Sequence, residues 1–136
     1  MNTRPLMTLR LTTAPTQDLG PGLRGTGTIF PITGGSFEGG RLRGHVLPGG
    51  ADWLLVRPDH TAELDLRIAL RTDDGAAISM TFVGLRDMQA GGQGYFRTLP
   101  RFETAVPQYA FLNRLLAIGR GDIGPDGPVH TIEEIL

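Results

Sequence analysis

From Glu63 to Arg71 the chain alternates without a break, Leu64, Leu66, Ile68 and Leu70 on one face and Glu63, Asp65, Arg67, Ala69 and Arg71 on the other. Successive side chains of a strand point to opposite faces, so this run predicts a half-buried strand. Thr72-Asp73-Asp74-Gly75 follows, and Asp-Gly supplies the positive φ of a tight turn. AAISMTFVG then reads as the returning strand, so residues 61–84 predict a β-hairpin. Upstream, PLMTLRLTT and TGTIFPI read as strands, and RLRGHVL with ADWLLVR as a further pair joined at PGG. Downstream come QGYFRTLPRFET, NRLLAIGRG and PVHTIEEIL, with GPDGP as the turn before the last. Turns recur about every 8 to 12 residues, the spacing of an all-β barrel or sandwich.

Helical patterning is confined to PQYAFLNRLL, residues 107–116, where Pro107 could open a short turn. The chain has 136 residues, 40% of them hydrophobic, enough for one core and too few for two. The expectation is therefore all-β: residues 1–136 form a single antiparallel β-barrel of about eight to ten strands with at most one short helical turn.

GGSFEGGRLRGHVLPGGADW, residues 34–53, holds seven glycines and invites a phosphate-loop reading. A Walker loop ends in lysine followed by Ser or Thr, and all 13 basic residues here are arginine. A dinucleotide fingerprint must lie between a strand and a helix, whereas strands flank this stretch on both sides. The glycines are read instead as the points where a sheet coils and bends shut.

Charge narrows the partners. Thirteen basic and 14 acidic residues leave a net charge of -1, with no long run of either sign. Nucleic acid and membrane are therefore not expected as partners. With no cysteine, disulfides, thiolate metal sites and a cysteine nucleophile are excluded. The N-terminus lacks the apolar core of a secretory signal and no apolar run reaches transmembrane length, so a cytoplasmic, bacterial-type protein is expected.

Four blocks in order, GGSFEGGRLRGHVLPGGADW, RTDDGAAI, YFRTLPRFET and PQYAFLNR, resemble the signature blocks of a bacterial family of uncharacterised proteins, the domain of unknown function 3237 family. The likeness runs from PLMTLRL to the last strand. It implies a compact antiparallel β-barrel that commonly assembles into oligomers, and no established activity. Two features depart from the family pattern. The segment between Gly84 and Tyr95 is short, where relatives often carry a longer, partly helical insertion, and Phe111 stands where a tryptophan is usual.

A barrel of this size is either filled by side chains or holds one small ligand. Polar and amphipathic residues within the signature blocks are the ligand-binding candidates: Asp52, Trp53, Asp65, Arg67, Tyr95, Arg97, Glu103, Tyr109 and Asn113. Asp65 and Arg67 share a face with Glu63, and Tyr95 and Arg97 share one of their own. If those faces line the lumen, a carboxylate of raised pKa could move protons while arginine steadies an anion. On an ordinary antiparallel sheet the same faces look into solvent. Trp53 reads first as a core residue and second as a stacking platform. Asp52 could simply accept a backbone hydrogen bond, Arg101 and Glu103 form a surface ion pair, and Tyr109 and Asn113 tether the helical turn. His45, His60 and His130 are scattered, TDDG lacks the oxygen spacing of a calcium loop, and no serine sits in a nucleophile elbow, so neither metal nor cofactor is expected. Two functions remain: a barrel that binds a small, partly apolar molecule and self-associates as a homodimer or homotetramer, or a cofactor-independent isomerase, lyase or cyclase.

Overall fold

The computed structural model describes residues 1–89 and 94–136. Among them the alternating runs become ten strands: β1 Thr3–Thr13, β2 Gln17–Pro21, β3 Thr26–Glu38, β4 Arg43–Val46, β5 Gly50–Val56, β6 Thr61–Thr72, β7 Ala77–Asp87, β8 Phe96–Glu103, β9 Ala117–Gly124 and β10 Gly127–Ile135. Pro107–Arg114 forms a short 3-10 helix, begun at Pro107 where the missing N–H costs nothing. The strand pairings are antiparallel, and eight strands close into a barrel with β2 and β4 as additional pieces.

Closure depends on β1, which pairs with β10 on one edge and β3 on the other. The ring then runs from β3 through β5, β6, β7, β8 and β9 back to β10. The β6–β7 hairpin forms as its alternation requires, with a turn closed by the Gly75 N–H on the Thr72 carbonyl at 2.9 Å. Gly75 takes φ +95°, the left-handed conformation that disfavours a Cβ. β8 and β9 share two paired positions, Arg97 with Arg120 and Thr98 with Gly119, before the chain turns into the 3-10 helix.

Two expectations are corrected. RLRGHVL and ADWLLVR are not partners across PGG: β4 and β5 lie end to end, each between β3 and β6. Both segments find their hydrogen bonds on the same two neighbours, leaving nothing to pair with each other. β2 and the second half of β3, Gly34–Glu38, carried no strand signal because glycine and polar residues hide the alternation, yet both pair in the sheet. At Gly35, φ is +141° and an added Cβ would run into the Arg10 carbonyl of β1. Glycine is thus needed there for the close approach that bends β3 between partners.

Inside, the alternation produces two unlike halves. Beside the 3-10 helix, Leu6, Phe37, Leu70, Ile78, Met80 and Leu112 are packed into a solid core. A bulge in β1 at Leu6 turns both Leu6 and Met7 inward. Toward the opposite end a smaller cluster, Leu54, Ala62, Leu64 and Phe96, leaves the lumen partly hollow.

Candidate functional site

A cavity of about 240 Å³ occupies this hollow half. Phe30, Leu54, Leu64, Leu66 and Phe96 supply apolar wall, and three ionisable side chains reach it: Asp52, Arg86 and His130. They stand on three different strands, β5, β7 and β10, so closure of the sheet assembles them.

Asp52 is on the inward phase of β5 with Leu54, and only 6% of it is exposed. Between the Asp52–Leu66 and Leu55–Glu63 pairs, the β5–β6 ladder has a gap. Within that gap the Asp65 N–H is donated to Asp52 Oδ1 at 3.0 Å. Burial lifts the Asp52 carboxyl to about 6; the Asp65 N–H opposes this and the Asp65 charge adds to it. A carboxyl so placed changes charge close to neutrality, the requirement for a group that takes and returns protons.

His130 is 1% exposed, in phase with Ile132 on β10. Its imidazole lies edge-on between Phe82, at 4.9 Å between ring centres, and Phe96, at 5.4 Å. Burial draws its pKa down to about 4, against a small opposing pull from Asp122. Among the described residues, its Nδ1 has no hydrogen-bond partner. Arg86 continues the inward phase of Phe82 and Gly84, and its guanidinium lies 4.9 Å from the centre of the Phe96 ring. Burial lowers its pKa, but a guanidinium stays charged under ordinary conditions.

The nine residues singled out from sequence separate into three places. Asp52 alone faces the lumen. Trp53, Asp65, Tyr95 and Arg97 meet on the outer wall, along a groove of about 660 Å³ that Val83, Leu85, Leu99 and Ile118 make largely apolar. Trp53 is 58% exposed, which corrects its reading as a core residue, and Arg97 lies over the Tyr95 ring at 5.2 Å. Arg67 lines an adjoining outer groove with Trp53 and Asp65, and Glu103 is exposed on β8 opposite Ser79. The luminal placement considered for Asp65, Arg67, Tyr95 and Arg97 is therefore corrected. Leu64, Leu66 and Phe96 take the inward positions, and the pleat sends their neighbours out.

Tyr109 and Asn113 serve the 3-10 helix. The Tyr109 hydroxyl donates to Asp74 at 2.9 Å, and Asn113 bonds both the N–H and the carbonyl of Thr104 at 2.8 Å. Sequence reasoning missed His130 and Arg86 as luminal residues. A signal was present, because each continues the phase of an apolar run, Ile78-Met80-Phe82 for Arg86 and Ile132 for His130. Among the described residues no His, Asp and Glu side chains cluster as a metal-binding group, and no helix is long and apolar enough to cross a membrane. Of the short segment between Gly84 and Tyr95, residues 90–93 lie outside the described ones.

Comparison with known proteins matches residues 1–135 to the family model described as "Protein of unknown function (DUF3237)". The UPF0311 protein RPA1785 of Rhodopseudomonas palustris is 36% identical over 132 residues, covering 88% of this chain and 84% of its own. The crystal structure of that protein superposes with a TM-score of 0.92, covering 99% of this chain and 97% of the other at 33% identity. A β-barrel-like protein from Acinetobacter baumannii gives a TM-score of 0.89 at 33% identity, over 98% of this chain and 94% of that one. A protein of Penicillium herquei, described as an enzyme, gives 0.79 at 22% identity over 98% and 94% of the two chains.

Proposed function

The chain belongs to the DUF3237 family of proteins of unknown function, and on that premise we propose that it binds a small, partly apolar molecule in the hollow half of its barrel. The observation that carries this reading is Asp52: a carboxyl held on the wall of an apolar cavity, with its pKa raised by burial. A charge is not kept in such a place for stability, since an apolar side chain there would be more favourable. Convergent polar groups in an enclosed apolar space are the usual form of a ligand site. Titration calorimetry with indole tests it, alongside a Leu54→Trp variant that fills the lumen. The wild type is expected to bind and the variant not to; equal binding by both would move the site out of the barrel.

A second reading is favoured by the same carboxyl. With a pKa near 6, Asp52 is both an adequate base and an adequate acid, which fits a cofactor-independent isomerase, lyase or cyclase. Asp52 would remove and return a proton while Arg86 polarises an oxygen of the substrate. The fungal enzyme shares the fold at 22% identity, and its likeness lends support to the fold alone. Deuterium loss from the α-carbon of tetralone is the test. Exchange is expected to accelerate as Asp52 ionises and to vanish in Asp52→Asn; exchange no faster than with free acetate would end this reading.

Self-association belongs to the proposal through the outer groove. Exposed apolar patches of this kind mark interaction surfaces. Arg24 is already paired with Glu63 at 3.0 Å, while Arg97 and Asp65 place one charge of each sign beside the apolar wall, which suits a second copy related by a two-fold axis.

A further inference from the structure

The carboxyl of Asp52 is only half used by the protein. Its Oδ1 accepts the Asp65 N–H at 3.0 Å. Its Oδ2 has no hydrogen-bond partner among the described residues, yet it is not sealed away from accessible space. Asp52 sits inside the barrel with 6% of its surface exposed, so the space this oxygen borders is the lumen. An ionised carboxylate can only accept, and the lumen therefore presents an acceptor that asks for a donor. Among the described residues no cation answers it. The neighbours that act on its charge are the Asp65 N–H and the Asp65 carboxylate, the second of like sign. His130 is kept neutral by burial. Asp52 is in register with Leu66, and through it with Phe82, while Arg86 stands four residues beyond, about 13 Å along the strand. The Arg86 guanidinium already lies over the Phe96 ring and has a further interaction of its own.

We infer that the molecule received by the lumen is a small ring-bearing amine, whose ammonium donates to Asp52 Oδ2 while its ring rests among Phe30, Leu54, Leu64 and Phe96. This inference rests on the luminal-binding reading above and adds the class of ligand. An ammonium brings the missing donor and the missing counter-charge in one group, and a charge-assisted hydrogen bond is about twice as strong as a neutral one. It also offsets the burial of a carboxylate, which a neutral hydroxyl does only in part. The walls define the remainder of the molecule. Two phenylalanine rings and the branched methyls of the leucines suit a compact ring better than an extended polar chain. The cavity of about 240 Å³ corresponds to roughly eight water volumes at ~30 Å³ each, room for one ring and a short arm. An anionic ligand is drawn to Arg86, which already has partners, and it brings Asp52 Oδ2 a like charge and no donor.

The test uses the full chain and three probes built on one phenyl ring: benzylamine, benzyl alcohol and benzoate. Binding is followed near neutral pH, where the amine is protonated and Asp52 largely ionised, by nuclear Overhauser contacts from the probe ring to the Leu54 methyls. Leu54 lines the lumen and not the outer groove, so a probe held outside by Glu63 or Asp65 makes no such contact. Benzylamine is expected to give these contacts and to bind about ten-fold or more tighter than benzyl alcohol, with benzoate weakest. In Asp52→Asn, which keeps the shape of the side chain, benzylamine and benzyl alcohol are expected to bind alike. Benzyl alcohol or benzoate reaching Leu54 in the wild type and binding as tightly as benzylamine overturns the ammonium assignment and leaves luminal binding standing. An amine preference that survives in Asp52→Asn does the same. Absence of Leu54 contacts for all three probes overturns both. The wild-type comparison decides the matter even where the variant does not fold.

Discussion

The two halves of the barrel are made by the same strands with the same alternation, yet one is solid and the other hollow. Beside the 3-10 helix the inward positions carry Phe37, Leu70, Ile78 and Leu112, and they fill the space. At the other end the same inward phase delivers Asp52 from β5, Arg86 from β7 and His130 from β10. The pleat decides only which side a residue takes. What stands at the inward positions decides whether that stretch of lumen holds the barrel together or holds a site. The solid half supplies the rigidity on which three groups from distant strands can keep a common geometry.

The contrast is broken most severely by truncating the solid half. Phe37→Ala is expected to cost about 3–5 kcal/mol in chemical denaturation, because close-packed neighbours cannot collapse into the gap. Leu54→Ala, on a wall that already borders empty space, is expected to cost about 2 kcal/mol, at the low end for such a change. Equal losses would show that the hollow half is packed as tightly as the solid one.

Removing charge from the hollow half should act in the opposite direction. Asp52→Asn keeps an oxygen for the Asp65 N–H and abolishes a buried charge, so it is expected to stabilise the protein by about 2 kcal/mol at about pH 8. That gain should fade on acidification, as the wild-type carboxyl takes up its own proton near 6.

The acid range sharpens the comparison further. Asp52 has a folded pKa raised to about 6 from 3.8, so the folded state holds a proton there that the unfolded state lacks. Its contribution to stability therefore grows as pH falls from 6 toward 3.8. His130 has a folded pKa lowered to about 4 from 6.5, so the unfolded state holds the extra proton and stability is lost as pH falls through that window. The two slopes nearly cancel in the wild type. Asp52→Asn should expose the His130 limb, losing about 2–3 kcal/mol from about pH 6.5 to 4, and His130→Phe the opposite limb. Parallel pH profiles for both variants would refute the paired placement.

The smallest effect on stability is expected on the outer wall. Trp53→Ala and Leu99→Arg should each change the unfolding free energy by about 0.5 kcal/mol or less, as exposed positions do. Light scattering should nonetheless show a fall in mass from dimer to monomer. A wild-type mass of one chain at micromolar concentration would remove self-association from the proposal.

Much of the architecture was legible because Leu64, Leu66, Ile68 and Leu70 leave no other reading than a strand. The barrel's glycine-rich turnings were less so. Gly34 and Gly35 have no side chains to show a period, and β4 and β5 looked like a hairpin because a turn sequence separates them. For the site, Asp52 could be named as a polar residue within a signature block, and its phase with Leu54 is what turns it inward. Asp65, Arg67 and Arg97 were drawn toward the lumen by their chemistry, though each alternates with an apolar neighbour that holds the inner position. His130 and Arg86 were overlooked for the converse reason. Their phase was apolar, and a charged or titratable residue on an apolar phase is noticed only when a closed sheet brings its partners from other strands.

The short join between β8 and β9, two rungs at Arg97–Arg120 and Thr98–Gly119, sets how the cylinder moves in time. Every other seam of the ring is laced over a longer stretch, so the first amides to trade hydrogen for deuterium should be those beside this one. Phe96 sits at that margin, its ring where a side chain on Gly121 would be. Were the two strands to part there, the wall beside Phe96 would be the first to loosen, which makes this seam the weak point of the chamber.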